Sequence, residues 1–170
     1  AISMRYLPNG KQMSEADAHT IHEIGIPSLV LMERAALQIV ETMHKKNIST
    51  EKSLIVCGSG NNGGDGFAVA RLLTEQGKHA EVLFAGKEAS LSEECRCQKQ
   101  IVENMGISVF TEFPDEEYTV IIDAVFGVGL CREITEHYKD VIDWMNLQDA
   151  EKVAVDIPSG ICAATGQILG

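Results

Sequence analysis

The chain contains no apolar run of the roughly 18 residues that a membrane-spanning helix needs, and its mean hydropathy is close to zero. No spanning segment is expected. The opening residues, Ala1-Ile-Ser-Met-Arg5, lack an apolar h-region, so no secretory signal is expected there. Positive charge is scarce: 14 Lys and Arg stand against 25 Asp and Glu, a net charge of −11 and a pI of about 4.8. That balance excludes a general nucleic-acid or anionic-membrane binder. It leaves room for a small anionic ligand, which backbone N–H groups and a basic side chain or two can hold locally. Aromatics make up only 5% of the chain. No Gly-Lys-Ser/Thr follows the main glycine cluster, so a P-loop nucleotidase is excluded. There is no Ser-His-Asp order and no His-Glu-x-x-His.

Five cysteines are present, Cys57, Cys95, Cys97, Cys131 and Cys162. An odd number without a secretory signal points to a reducing cytoplasm. Cys95-x-Cys97 has too short a spacing for a zinc knuckle and no second ligand pair, so both are read as plain helix residues. The five histidines are scattered and are read as surface or structural.

What is present reads as one α/β domain spanning residues 1–170. Apolar residues form 45% of the chain, enough for one sizeable core. Ser14 can cap a helix to about Glu23, ended by Gly25 and Pro27. Ser28 can cap a second to about Lys46, with an apolar stripe at Leu29, Met32, Ala36, Ile39 and Met43. Short apolar runs then alternate with helical patterns. Strands are predicted at 53–57, 80–84, 107–110, 119–123 and 152–156. Helices are predicted from Phe67 to about Gln76, from Ser90 to Met105 and from Ile134 to Met145. Such alternation implies right-handed βαβ crossovers and a Rossmann-like three-layer sandwich, with a mostly parallel sheet and a helical N-terminal extension.

The strongest chemical signal is Gly58-Ser-Gly-Asn-Asn-Gly-Gly-Asp-Gly66, between a predicted strand and a predicted helix. Gly58, Gly60 and Gly63 fit G-x-G-x-x-G, whose glycines let a phosphate approach the backbone at a helix N-terminus. Two features depart from a redox dinucleotide site. The second strand ends Phe84-Ala-Gly-Lys87, without the carboxylate that usually holds the ribose. Asn61, Asn62 and Asp65 also crowd the loop, and a carboxylate repels pyrophosphate. The plainer alternative is that these three satisfy turns and cap the helix.

Two further apolar strands end in polar, glycine-bearing loops, Asp123-Ala-Val-Phe-Gly-Val-Gly129 and Asp156-Ile-Pro-Ser-Gly160. With strand order 3-2-1-4-5, the ends of strands one, four and five are neighbours. The order then reverses between one and four, where open α/β sheets bind ligands. Asn61, Asn62, Asp65, Asp123, Asp156 and Ser159 are expected to converge there. Clustered carboxylates and amides suit an oxygen-bound hard cation, or proton transfer by a carboxylate of raised pKa.

The three motifs, in this order and spacing and preceded by Leu31-Met-Glu-Arg-Ala-Ala36, make the chain resemble the NAD(P)H-hydrate epimerases, the YjeF N-terminal domain family. The resemblance covers nearly the whole chain. It implies a Rossmann-like fold and interconversion of the R and S epimers of hydrated NADH and NADPH (NADHX and NADPHX). It implies a homodimer, a bound potassium ion, and an ADP- or ATP-dependent dehydratase, fused or separate, that consumes the S epimer. Matching positions imply potassium ligands at Asn62, Asp123 and Ser159. They imply substrate contacts at Asn61, Asn62, Gly63, Gly64 and Asp65, at Gly127, Val128, Gly129, Leu130, Cys131, Arg132 and Glu133, and at Asp156. Family domains continue with further strands, so the chain is expected to be cut short after Gly170.

The hydrate carries a hydroxyl at C6, beside the ring nitrogen. Loss of water from a protonated hydroxyl followed by its return, or ring opening to an aldehyde, would invert that centre. Both routes need a proton donor and acceptor near C6. Asp156 is expected in that role, with Asp65 in reserve. Two other readings remain open: a redox Rossmann enzyme, and a catalytically silent nucleotide-binding or interaction module with the same pocket.

Overall fold

The computed structural model describes residues 4–6, 24–125 and 136–155. Six parallel strands form one sheet: β1 (Met4–Tyr6), β2 (Lys52–Cys57), β3 (His79–Phe84), β4 (Val109–Phe110), β5 (Val120–Ala124) and β6 (Glu151–Ala154). Their order across the sheet is β1-β6-β5-β2-β3-β4. The five strands expected from sequence therefore lie in the expected order, with the reversal between β2 and β5. Among the described residues, four α-helices lie between strands: α1 (Ser28–Lys45), α2 (Asn61–Glu75), α3 (Glu93–Asn104) and α4 (Glu136–Leu147).

Strands β2, β3, β5 and β6 are buried on both faces along most of their length, as parallel strands under crossovers must be. Alternate residues serve two cores. Ile55, Cys57, Val82, Phe84, Val120, Ile122 and Val153 pack with apolar residues of α1, α2 and α3, Ala36, Phe67 and Cys95 among them. Leu54, Val56, Leu83 and Ile121 pack with Val141 and Met145 of α4. This is helix layer, sheet and helix layer, the expected sandwich.

Several boundaries differ from the expectation. The helix expected over 14–23 lies outside the described residues. β1 was not foreseen. It pairs with β6 in the register Met4↔Lys152 and Tyr6↔Ala154, and three residues carry no readable period. Ser28 is not a cap: Pro27 precedes the helix, which has no side-chain cap. Instead the Ser28 hydroxyl donates to Glu94 Oε1 at 2.8 Å, tying α1 to the first turn of α3. In the α1 stripe, Met32, Ala36, Ile39 and Met43 are buried, whereas Leu29 is exposed. Helix α3 begins at Glu93, three residues later than read, because Ser92 caps it by accepting a hydrogen bond from the Cys95 N–H at 3.1 Å. Cys95 and Cys97 both lie on that helix.

Candidate active site

The glycine-rich segment is mostly helix. Apolar periodicity put the start of α2 at Phe67, yet the helix begins at Asn61. Gly60 is the cap, in extended geometry (φ −88°, ψ −170°) and without a side-chain cap bond. Thus neither asparagine nor Asp65 is the N-cap. Asn61, Asn62 and Gly63 are the first three helical residues, whose N–H groups lie ahead of the first intrahelical bond and carry the positive end of the helix dipole. Gly64 N–H closes the first turn onto the Gly60 carbonyl at 3.1 Å.

Glycine is needed at Gly63 for close approach. A Cβ there would stand 1.9 Å from the Gly58 carbonyl oxygen, so the first turn of α2 rests directly on the end of β2. Gly66 repeats this one turn on: its Cβ would meet Ala124 Cβ and Cys57 Sγ, each at 2.8 Å. The helix N-terminus is therefore held against the tips of β2 and β5 rather than above them.

Those tips are aligned by hydrogen bonds that run past the strand ends. Gly58 N–H donates to the Ala124 carbonyl at 3.0 Å, Ala85 N–H to Cys57 at 2.8 Å, and Val155 N–H to Asp123 at 3.0 Å. Asp123 pairs in register with Val56 on one side and Ala154 on the other. It is only 3% exposed, and its Oδ1 accepts from Val125 N–H at 3.1 Å. A buried carboxylate at the switch point is costly without strong partners. One backbone donor is visible, and Asn62, Asp65 and Asp123 each have further interactions with their surroundings.

Of the residues predicted from sequence, Asn61, Asn62, Gly63, Gly64 and Asp65 share the first turns of α2, and Asp123 lies at the neighbouring tip of β5. Gly127, Val128, Gly129, Leu130, Cys131, Arg132, Glu133, Asp156 and Ser159 lie outside the described residues. Asp156 falls two positions after β6 ends at Ala154, and Ala154 pairs with Asp123.

Beyond β3 the first carboxylate is Glu88, in a short 3-10 turn. Its Oε1 is 2.8 Å from Lys99 Nζ. Burial alone would lower the Lys99 pKa, but hydrogen bonds to Glu103 and Glu88 outweigh it and the pKa is raised. Glu88 is thus engaged with a cation of its own. Under the segment lie two buried thiols. Burial raises the Cys57 pKa well above its usual range, with the Cys95 and Asp65 charges adding to the effect. Cys95 is pushed up to about 12, by burial first; Lys99 opposes this and the Asp65 charge adds to it. Neither thiol suits a nucleophile, which must reach its thiolate.

Sequence reasoning missed Ser92. Its N–H donates to the Ser59 carbonyl at 2.9 Å, and its Oγ donates to Asn61 Oδ1 at 2.7 Å. A serine before two acidic first-turn residues, Glu93 and Glu94, is a readable cap signal. Its reach to Asn61 is not, because 31 residues separate them.

The family model for the YjeF-related protein N-terminus matches residues 28–170. A relative from Weissella koreensis, named NAD(P)H-hydrate epimerase, is 42% identical over 160 residues, covering 94% of this chain and 72% of its own. One of the same name from Oenococcus oeni is 42% identical over 164 residues, covering 95% and 78%. A yeast protein of known crystal structure superposes with a TM-score of 0.73 at 22% identity, covering 90% of this chain and 70% of its own. That last likeness concerns the fold alone.

Proposed function

The chain belongs to the family of the YjeF-related protein N-terminus, and from that premise we propose that it is an NAD(P)H-hydrate epimerase, interconverting the R and S forms of hydrated NADH and NADPH. The observation that carries the reading is the glycine-capped N-terminus of α2 seated on the β2 and β5 tips, beside the buried Asp123. First-turn N–H groups suit the pyrophosphate of a dinucleotide. The same turn carries Asn61, Asn62 and Asp65, polar groups that a plain pyrophosphate grip does not require. Relatives named for this activity, at 42% identity, support it.

In this reading Asn61 to Asp65, Gly127 to Glu133 and Asp156 contact the hydrate. Asp156, expected where the chain leaves β6, gives a proton to the C6 hydroxyl. The C6–O bond breaks, water departs, and the ring-nitrogen lone pair stabilises the planar cation. Water adds to the opposite face and returns its proton to the carboxylate, so the centre is inverted with no net consumption of atoms. Asp65 is the second candidate.

The donor set Asn62, Asp123 and Ser159 is all oxygen, as a hard monovalent cation requires, and the burial of Asp123 fits a charge meant for such a partner. Potassium bound there would supply fixed positive charge near the substrate's anionic groups. We further propose that residues 1–170 form one domain, that the protein is a cytoplasmic homodimer, and that a fused or separate ADP- or ATP-dependent dehydratase takes up the S epimer. No helix of the described residues is long and apolar enough to cross a membrane.

The experiment follows loss of the R epimer against its spontaneous background, with wild type and Asp156→Asn. Wild type should accelerate the loss, and the variant should bind the hydrate but fall by a factor of about 100 or more, the scale of general acid–base catalysis. A wild-type chain that binds without turnover would instead mark a silent binding module. A folded Asp156→Asn that turns over at the wild-type rate removes Asp156 from the mechanism.

A further inference from the structure

One turn of α3 holds three residues of the binding segment at once. The Ser92 N–H donates to the Ser59 carbonyl at 2.9 Å. The Cys95 thiol donates to the Gly58 carbonyl at 3.6 Å, an ordinary reach for sulfur. The Ser92 hydroxyl donates to Asn61 Oδ1 at 2.7 Å while accepting from the Cys95 N–H at 3.1 Å. The first two contacts end on backbone carbonyls. The third differs in kind, because it joins two polar side chains in an exposed setting.

Water competes freely for such a bond, so it adds little to folding. It does fix an orientation. With one Ser92 lone pair taken by Cys95 N–H, the hydroxyl proton is directed at Asn61 Oδ1, and the amide oxygen is turned toward α3. Nδ2, the other arm of the amide, is then not the atom that meets Ser92 and keeps its donors for another partner. Asn61 is also the first residue of α2, so its own backbone N–H belongs to the same donor group.

We propose that Ser92 is a positioning residue for substrate: it sets the Asn61 amide so that Nδ2, not Oδ1, is offered to the acceptor oxygens of the dinucleotide. The inference rests on the proposed function, because it needs an acceptor-rich ligand at the α2 N-terminus. It also gives α3 a part in binding that its sequence does not announce. A free amide would present its oxygen to a phosphate for part of the time, and an oxygen repels one.

The test must separate the amide bond from the helix cap. Ser92→Gly removes the hydroxyl but keeps a residue that caps nearly as well, so the melting temperature should move by only about 1–2 °C. The KM for the hydrate should rise about fivefold with kcat within about twofold of wild type, the scale of one neutral hydrogen bond. Ser92→Thr, which keeps the hydroxyl, should restore KM. In an Asn61→Ala background Ser92→Gly should leave KM unchanged, since the group it orients is gone. An unchanged KM in Ser92→Gly, or the same rise without Asn61, overturns the positioning role. A wild-type chain that neither turns over nor binds the hydrate in calorimetry overturns the proposed function itself, and this role with it.

Discussion

Gly63→Ala is the sharpest test of how the site is built. Two effects oppose each other. Alanine is the better helix former, by about 0.8–1.0 kcal/mol in a helix interior. Against that, the new Cβ would stand 1.9 Å from the Gly58 carbonyl oxygen and 2.7 Å from its carbon. Both belong to backbone, so no rotamer change relieves the overlap. Nor can Gly58 withdraw easily: its N–H is bonded to the Ala124 carbonyl at 3.0 Å and its carbonyl receives the Cys95 thiol. The first turn of α2 must tilt or unwind, and backbone shifts of this sort cost about 1–3 kcal/mol, occasionally more. Subtracting the propensity gain leaves a net loss of up to about 2 kcal/mol. In a chain of this size that lowers the melting temperature by as much as about 8 °C. Because the displaced atoms are the first-turn N–H groups proposed to meet the dinucleotide phosphates, affinity for the hydrate should fall at least tenfold. Thermal melts and calorimetric titration with the hydrate read both. Gly60→Ala is the control, since a Cβ at Gly60 meets nothing within 4 Å; it should cost only about 1 kcal/mol, as a poorer cap. A Gly63→Ala protein that melts above wild type and binds normally would refute the claim that close approach dictates this glycine.

Three other outcomes are expected. Lys152 is 2% exposed, and its ammonium donates to the carbonyls of Gln148 at 2.7 Å and Ala150 at 3.3 Å, just past the end of α4. Lys152→Met keeps the apolar stem and should destabilise by about 1–3 kcal/mol through the stranded carbonyls; a urea midpoint equal to wild type would contradict this. Cys95, with its pKa raised from 9.0 to about 12, stabilises the fold fully below pH 9. That contribution declines as pH rises from 9 toward 12, because the unfolded thiol ionises first; Cys95→Ser should therefore show a shallower alkaline loss of stability in melts above pH 9. Asp123→Asn preserves an oxygen for Val125 N–H but removes the charge, so under the proposed potassium site half-activation should require at least tenfold more KCl; an unchanged potassium dependence would detach Asp123 from that site.

Much of this molecule is local. The strands at β2, β3, β5 and β6 are runs of apolar residues between glycine-bearing turns, and their alternation with helices restricts the sheet to few orders. Asn61, Asn62 and Asp123 were legible for the same reason: they stand where apolar strands stop, and strand ends at a reversal of order form a crevice. The start of α2 was not legible, because Asn-Asn-Gly-Gly-Asp has no apolar period and poor helix propensity. It is helical because Gly63 and Gly66 let the turn lie against β2 and β5, a packing reason that propensity does not contain. β1 exists only as a partner for β6, and Ser92 meets Asn61 only once α3 is docked. Sequence by itself determined the fold class, the family motifs and which strand ends carry polar groups, since these depend on residues near one another in the chain. Tertiary structure alone decided where α2 begins, that a lysine is buried in β6, and that a serine from another helix meets the Asn61 amide, since each depends on atoms that only folding brings together.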